Sequence, residues 1–204
     1  MQRLLCSLVL LASACAARGG RAGAAPEAGF VGQVAGSEAF IAIVTGETEA
    51  AAYVCNGEEQ IFEWFEGALD APGAIQLSNA AGGELSATRL GDGFEGEVTL
   101  SAGTRHSFTS EVADSAAGLF RVLGAEAEAD GIKAGWIVDN DGDERGALLR
   151  SGSFEPAPAL PSEGLRLNGV TYSVFKIALG PRTPSPPAGP IPIPYPNTGT
   201  TATR

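Results

Sequence analysis

The sequence predicts an all-β protein, an antiparallel meander that closes into a small barrel or folds into a two-layer sandwich. Three observations predict it. Short apolar runs recur through the middle of the chain, and Asn-Gly or Asp-Gly dipeptides separate many of them. Most connections have about seven residues or fewer, whereas a parallel crossover takes a dozen or more, so each strand should run antiparallel to the one before it.

The runs, in order, are residues 30–34, 39–45, 51–55, 60–65, 74–78, 84–90, 94–100, 106–112, 119–123, 132–138 and 145–149, then 165–167 paired with 170–179. Almost no segment supports a helix. Asn56-Gly57, Asp92-Gly93, Asp130-Gly131, Asp141-Gly142 and Asn168-Gly169 are the turn signals, because Asn, Asp and Gly tolerate the positive φ that two-residue hairpin loops require. A dozen strands in one open sheet would expose unpaired edges, and closure removes them. In Ile61-Phe62-Glu63-Trp64-Phe65 a period of two puts Phe62 and Trp64 on one face, and Ile61, Glu63 and Phe65 on the other. Ala39-Phe40-Ile41-Ala42-Ile43-Val44 is apolar on both faces. These two strands are therefore expected to be central and covered on both sides, by another sheet or by a ligand. Trp64 and Trp136, each inside a strand pattern, are expected to be buried.

The domain limits follow from the flanks. Residues 1–14 read as a signal peptide, since Arg3 supplies a positive start and the apolar run at 4–14 is about half the roughly 20 residues of a membrane span. Residues 15–29 form an Ala/Gly-rich flexible tether, 30–179 the β domain, and 180–204 a Pro-rich tail that favours polyproline II and should be disordered. About 150 residues suffice for one domain with a real core.

Leu11-Ala12-Ser13-Ala14-Cys15 resembles the bacterial lipobox, with Ala12 where Leu is usual. The resemblance implies a lipid attached to Cys15 and the membrane as a partner through that N-terminal anchor, stable because it carries several acyl chains. Ala14-Cys15-Ala16 also reads as the A-x-A site of ordinary secretion, which leaves a soluble secreted protein. Tyr195-Pro196-Asn197-Thr198-Gly199 resembles the cell-wall sorting signal L-P-x-T-G, but only residues 200–204 follow where that family has an apolar span.

Charge and motifs exclude more than they include. The net charge is −11, from 13 Lys and Arg against 24 Asp and Glu, and the basic residues are scattered singly. Nucleic acid is therefore not an expected partner, because phosphate binding needs clustered cations. Gly91-Asp92-Gly93-Phe94-Glu95-Gly96 matches G-x-G-x-x-G, but a strand follows where a dinucleotide site needs a helix. Asp139-Asn140-Asp141-Gly142-Asp143 opens like a calcium loop, yet Glu144 and Arg150 stand where an EF-hand needs Gly and Glu. Once the signal is removed and Cys15 is lipidated or lost, Cys55 is the remaining thiol. Its neighbours offer no activating charge, and it reads as a small buried hydrophobe. The single His106 sits at a strand start beside no nucleophile elbow. Glu63 with Glu66, and Glu95 with Glu97, are the candidate carboxylate pairs for glycoside chemistry. No catalytic residue, metal ligand or cofactor is expected.

The order of Ala52-Tyr53-Val54-Cys55, Glu63-Trp64-Phe65, Gly118-Leu119-Phe120-Arg121 and Gly135-Trp136-Ile137-Val138, with the 39–44 run before them, resembles a family of exported bacterial β-domains. The likeness covers residues 30–149. It implies envelope location and carries over no catalytic residue. The expected function is a non-catalytic envelope module that binds a protein, a glycan or a small ligand. The alternative is a small secreted hydrolase that uses carboxylates.

Overall fold

Alternation sorts each strand's side chains onto two faces, and in eight successive strands the apolar set turns toward one axis. The computed structural model describes residues 28–69 and 73–178; the expected signal peptide, Cys15, most of the tether and the whole tail lie outside the described residues. The strands are β1 (Ala28–Val34), β2 (Phe40–Thr45), β3 (Glu49–Asn56), β4 (Ile61–Ala68), β5 (Ala74–Ser78), β6 (Glu84–Leu90), β7 (Gly93–Thr99) and β8 (Arg105–Val112). Each pairs antiparallel with the next, and β1 pairs with β8 from Phe30↔Val112 to Val34↔Phe108, closing a barrel. The seam between β4 and β5 is the thinnest, with the single pair Glu66↔Ser78.

The barrel interior is filled by side chains from all eight strands, including Phe30, Ile41, Ile43, Val54, Phe65, Ile75, Leu85, Phe94, Val98 and Phe108. A charged group closes each end. Arg89 lies over the rings of Phe30 and Phe94, 5.2 and 5.7 Å from their centroids, a cation–π arrangement. At the other end Glu63 accepts hydrogen bonds from the Ser101 backbone N–H (2.8 Å), the Ser101 hydroxyl (2.9 Å) and the Asn79 amide (3.0 Å), tying the β5–β6 and β7–β8 connections to β4.

After the barrel come β9 (Gly118–Val122), a one-turn helix α1 (Ala125–Ala129), β10 (Lys133–Val138), β11 (Glu144–Arg150), β12 (Ser153–Pro156), β13 (Leu165–Leu167), β14 (Val170–Tyr172) and β15 (Val174–Lys176). They make a five-stranded sheet in the order β12-β11-β10-β9-β15 and a small β13-β14 hairpin. The sheet lies on the outside of β1–β4. Val31, Phe40, Ala42, Val44, Tyr53, Cys55 and Trp64 from the barrel pack there against Leu119, Ile137 and Ala147. On the sheet's far face Trp136, Leu148, Leu165 and Tyr172 form a third cluster under α1 and the hairpin. The expected two-sided cover of 39–44 and 61–65 is thus a core within and a sheet without. Trp136 is fully buried and Trp64 nearly so.

The barrel and the layered arrangement both occur, the barrel wall itself serving as one layer. Several local expectations need correction. Asp130-Gly131 is no hairpin: Asp130 caps α1, and Gly131 leaves it at φ 66°. In the β6–β7 hairpin the turn residues are Gly91 and Asp92, because Gly93 pairs with Leu90. Asn56-Gly57 opens a four-residue loop rather than a two-residue turn, since Asn56 pairs with Ile61. The 170–179 run breaks at Ser173, its second part leaving the hairpin to pair with β9. Asn168-Gly169 does form the two-residue turn, with φ of 51° and 84°.

Apart from Ala74 and the exposed Leu90 at strand ends, the outward side chains of β5–β8 are polar or charged, while the interior is apolar, the reverse of a membrane-spanning barrel. Among the described residues no helix is long and apolar enough to cross a membrane.

Candidate functional site

Since the interior is full and the outside of β1–β4 lies largely under the second sheet, the open wall is the one formed by β5–β8 with the end of β1. The pleat turns every second residue of these strands outward, and apart from Ala74, Leu90 and Arg105 at the strand ends these side chains are hydroxyls, amides and carboxylates. Register sets them in two rows across the strands. One row is Gln76↔Ser86, Ser86↔Glu97 and Glu97↔Ser107; the other is Thr88↔Glu95, Glu95↔Thr109 and Thr109↔Gln33. A concavity of about 870 Å³ opens over these eight side chains.

Gln33 and Thr109 also line a second hollow, of about 410 Å³, walled by Glu111 and by the Asp139-Asn140-Asp141 loop. The two hollows therefore form one groove across the wall. Asn140 fixes its far end: its amide donates to Glu111 Oε1 and to the Val112 carbonyl, both at 2.9 Å, and its Oδ1 accepts the Asp114 N–H at 2.9 Å. At the near end Ser37 donates to Glu59 Oε2 at 2.6 Å, and that bond is the main reason the Glu59 carboxyl sits below its ordinary pKa. Neither hollow is lined by Lys, Arg or His. Arg105 touches the groove only by pairing with Glu97 at its rim.

The structure separates most residues that the sequence singled out. Glu95 and Glu97 share the groove and are exposed. Glu63 and Glu66 are not a pair, because they project from opposite faces of β4: Glu63 closes the barrel end, and Glu66 falls on the face of Phe62 and Trp64. His106 faces the Ala35 carbonyl, with Nδ1 at 3.1 Å, at the barrel mouth. Cys55 is fully buried between barrel and sheet, its Sγ 3.3 Å from the Arg145 carbonyl oxygen, and burial pushes its thiol up to about 12. Beside it Tyr53 stacks on Trp64 at 4.2 Å, and Arg121 lies 4.6 Å over that Trp ring.

The Asp139–Asp143 loop carries no calcium geometry. Asp139 Oδ1 accepts the backbone N–H groups of Asp141 (3.1 Å) and Asp143 (2.8 Å), so this carboxylate holds its own turn. Among the described residues no cluster of three metal-ligating side chains occurs. Gly91–Gly96 is hairpin and strand, as the following residues indicated.

Sequence reasoning found Glu95 and Glu97 but missed Gln33, Gln76, Ser86, Thr88, Ser107 and Thr109. Their signal was present strand by strand, as polar residues two apart at 86/88, 95/97 and 107/109. Comparison with protein-family models, with curated proteins and with solved structures yields no match, so the functional reading rests on this chain's own geometry.

Proposed function

We propose that this protein is an exported, non-catalytic binding module, held at the cell envelope by a lipid on Cys15, that presents the polar groove of its barrel to an envelope ligand. One observation carries the reading: a polar groove stays open on the one barrel wall that the second sheet leaves uncovered. A filled barrel closed at both ends is a rigid support, and rigid elements hold binding side chains at fixed spacing. The exported location is supported by the apolar run at 4–14 and by the lipobox-like residues 11–15. The carboxylates of the groove act in this reading as hydrogen-bond acceptors rather than as an acid and a nucleophile.

The test is site-specific photo-cross-linking in intact cells. A photoreactive side chain at Thr88 or Thr109, inside the groove, should capture an envelope component. The same probe at Arg166, exposed on β13 and outside the groove, should not. Equal capture at all three positions, or none at any, removes the groove as the binding site. In parallel, Cys15→Ala should move the protein from the membrane fraction to the soluble one. A membrane-bound variant overturns the anchor.

A further inference from the structure

The chemistry of the groove narrows its ligand, on the premise that the groove is the binding site. We propose that it takes an extended, non-anionic oligosaccharide laid across the strands, with amine-bearing sugars preferred.

The lining side chains determine the class. Ser86, Thr88, Ser107 and Thr109 each donate and accept, Gln33 and Gln76 do both through separate atoms, and Glu95 and Glu97 accept. A sugar hydroxyl also donates and accepts, so a dense mixture of this kind satisfies a ring edge without leaving an orphan. The direction follows from the register. Each row advances by one strand, about 4.8 Å, per side chain, close to the length of one pyranose unit in an extended chain. Two rows of four such residues face the two edges of a chain of about four units.

Charge decides which glycan. Glu95, Glu97, Glu111 and Asp141 make the groove electronegative, and no cation lines it. Sulfated or phosphorylated chains are disfavoured, whereas an ammonium-bearing sugar gains charge-assisted hydrogen bonds. An extended peptide is the competing ligand, and the sheet argues against it. β6, β7, β8 and β1, which carry seven of the eight lining residues, are each paired on both sides, so no edge among them is open for strand addition. No exposed aromatic ring lines the groove either. Affinity must therefore come from many hydrogen bonds and should grow with chain length.

The experiment is calorimetric titration of the full chain in detergent micelles. The probes are β-1,4-linked glucosamine oligomers of two to six units, the matching glucose oligomers, a sulfated hexasaccharide and tetralysine. Glucosamine oligomers should bind roughly tenfold more tightly at four units than at two, each tenfold being about 1.4 kcal/mol, and should level off beyond. Glucose oligomers should bind more weakly with the same length dependence, and the sulfated chain should not bind. Glu95→Gln should weaken the glucosamine tetramer at least about fivefold and the glucose tetramer much less, since the charge acts on the amine. Arg166→Ala serves as the unaffected control. The proposal is overturned if no oligosaccharide binds, if the sulfated chain binds best, or if tetralysine matches the glucosamine tetramer. A protein cross-linked specifically at Thr109 would likewise end the glycan assignment while leaving the groove as the binding site.

Discussion

Replacing Cys55 by Ala should flatten the alkaline limb of the stability curve, and the size of the effect follows from where the thiol sits. Cys55 is fully buried between barrel and sheet. Removal from water is the main cause of its pKa rising from an ordinary 9.0 to about 12, ahead of the opposing contributions of the Tyr53 hydroxyl, the Ile137 backbone and the Arg145 charge. The folded chain keeps this proton where the unfolded chain has lost it. The thiol's contribution is therefore complete below pH 9 and disappears as pH climbs toward 12, at about 1.4 kcal/mol per pH unit and about 4 kcal/mol in all. Urea unfolding of both proteins at about pH 8 and about pH 10.5 isolates the effect: Tyr53 loses the contributions of Cys55 in the variant, but burial, the largest cause of its raised pKa, remains and keeps its proton on in the folded state of both. Over that interval the native protein should lose about 2 kcal/mol more than the variant. The Ala variant starts lower, by about 1–2 kcal/mol for the cavity, so the slope is the readout and not the intercept. Parallel pH curves would refute the reasoning, as would rapid labelling of the native thiol by a water-soluble disulfide reagent at neutral pH.

Three further substitutions probe the packing that holds the groove's scaffold. Gly135→Ala places a Cβ 2.8 Å from the Tyr53 ring, which cannot retreat from Trp64 stacked 4.2 Å behind it. The cost should be about 1–3 kcal/mol, read as a fall of roughly 2–4 °C in Tm per kcal/mol. Trp136→Phe removes the indole N–H that reaches the Pro158 carbonyl at 2.8 Å and leaves a void beside Leu148. Denaturant unfolding should show a loss of about 2 kcal/mol. Glu63→Gln exchanges a charged acceptor of three hydrogen bonds for a neutral amide with its own donors. It should destabilise by about 1–2 kcal/mol and speed amide exchange at Ser101 first, a local change that hydrogen-exchange mass spectrometry resolves.

Much of the fold was legible because its signals are local. The two-sided apolarity of residues 39–44 demanded cover on both faces, and the interior of the barrel and the second sheet supply it. The phase of Ile61 to Phe65 placed each side chain correctly, Glu63 included. What escaped lacked a local signal. Residues 125–129 read Ala-Glu-Ala-Glu-Ala, too short for a helical period to show, and Asp130-Gly131 after them has the same letters whether it closes a hairpin or ends a helix. Ser153–Pro156 pairs only as an edge strand, where its Pro is tolerated, and it has no apolar run to announce it. The break at Ser173 comes from tertiary pairing, since β14 and β15 serve different sheets.

The groove shows why a site can be readable residue by residue and still be invisible as a site. Each strand marks which of its residues face outward, but which outward residues become neighbours is a property of pairing between strands. Glu95 meets Thr88 on one side and Thr109 on the other, 7 and 14 residues away in sequence, and Thr109 meets Gln33 only because the barrel closes β8 onto β1. A slip of one residue in the β7–β8 register would turn Thr109 toward the core and Phe108 toward solvent. The burial of Phe108, Phe94 and Val98 is what forbids that slip. The apolar interior thus fixes the register, and the register assembles the two polar rows outside. The composition of the groove is set by residues that never touch its ligand, and variants of Phe108 that loosen the register should scatter the rows before they unfold the barrel.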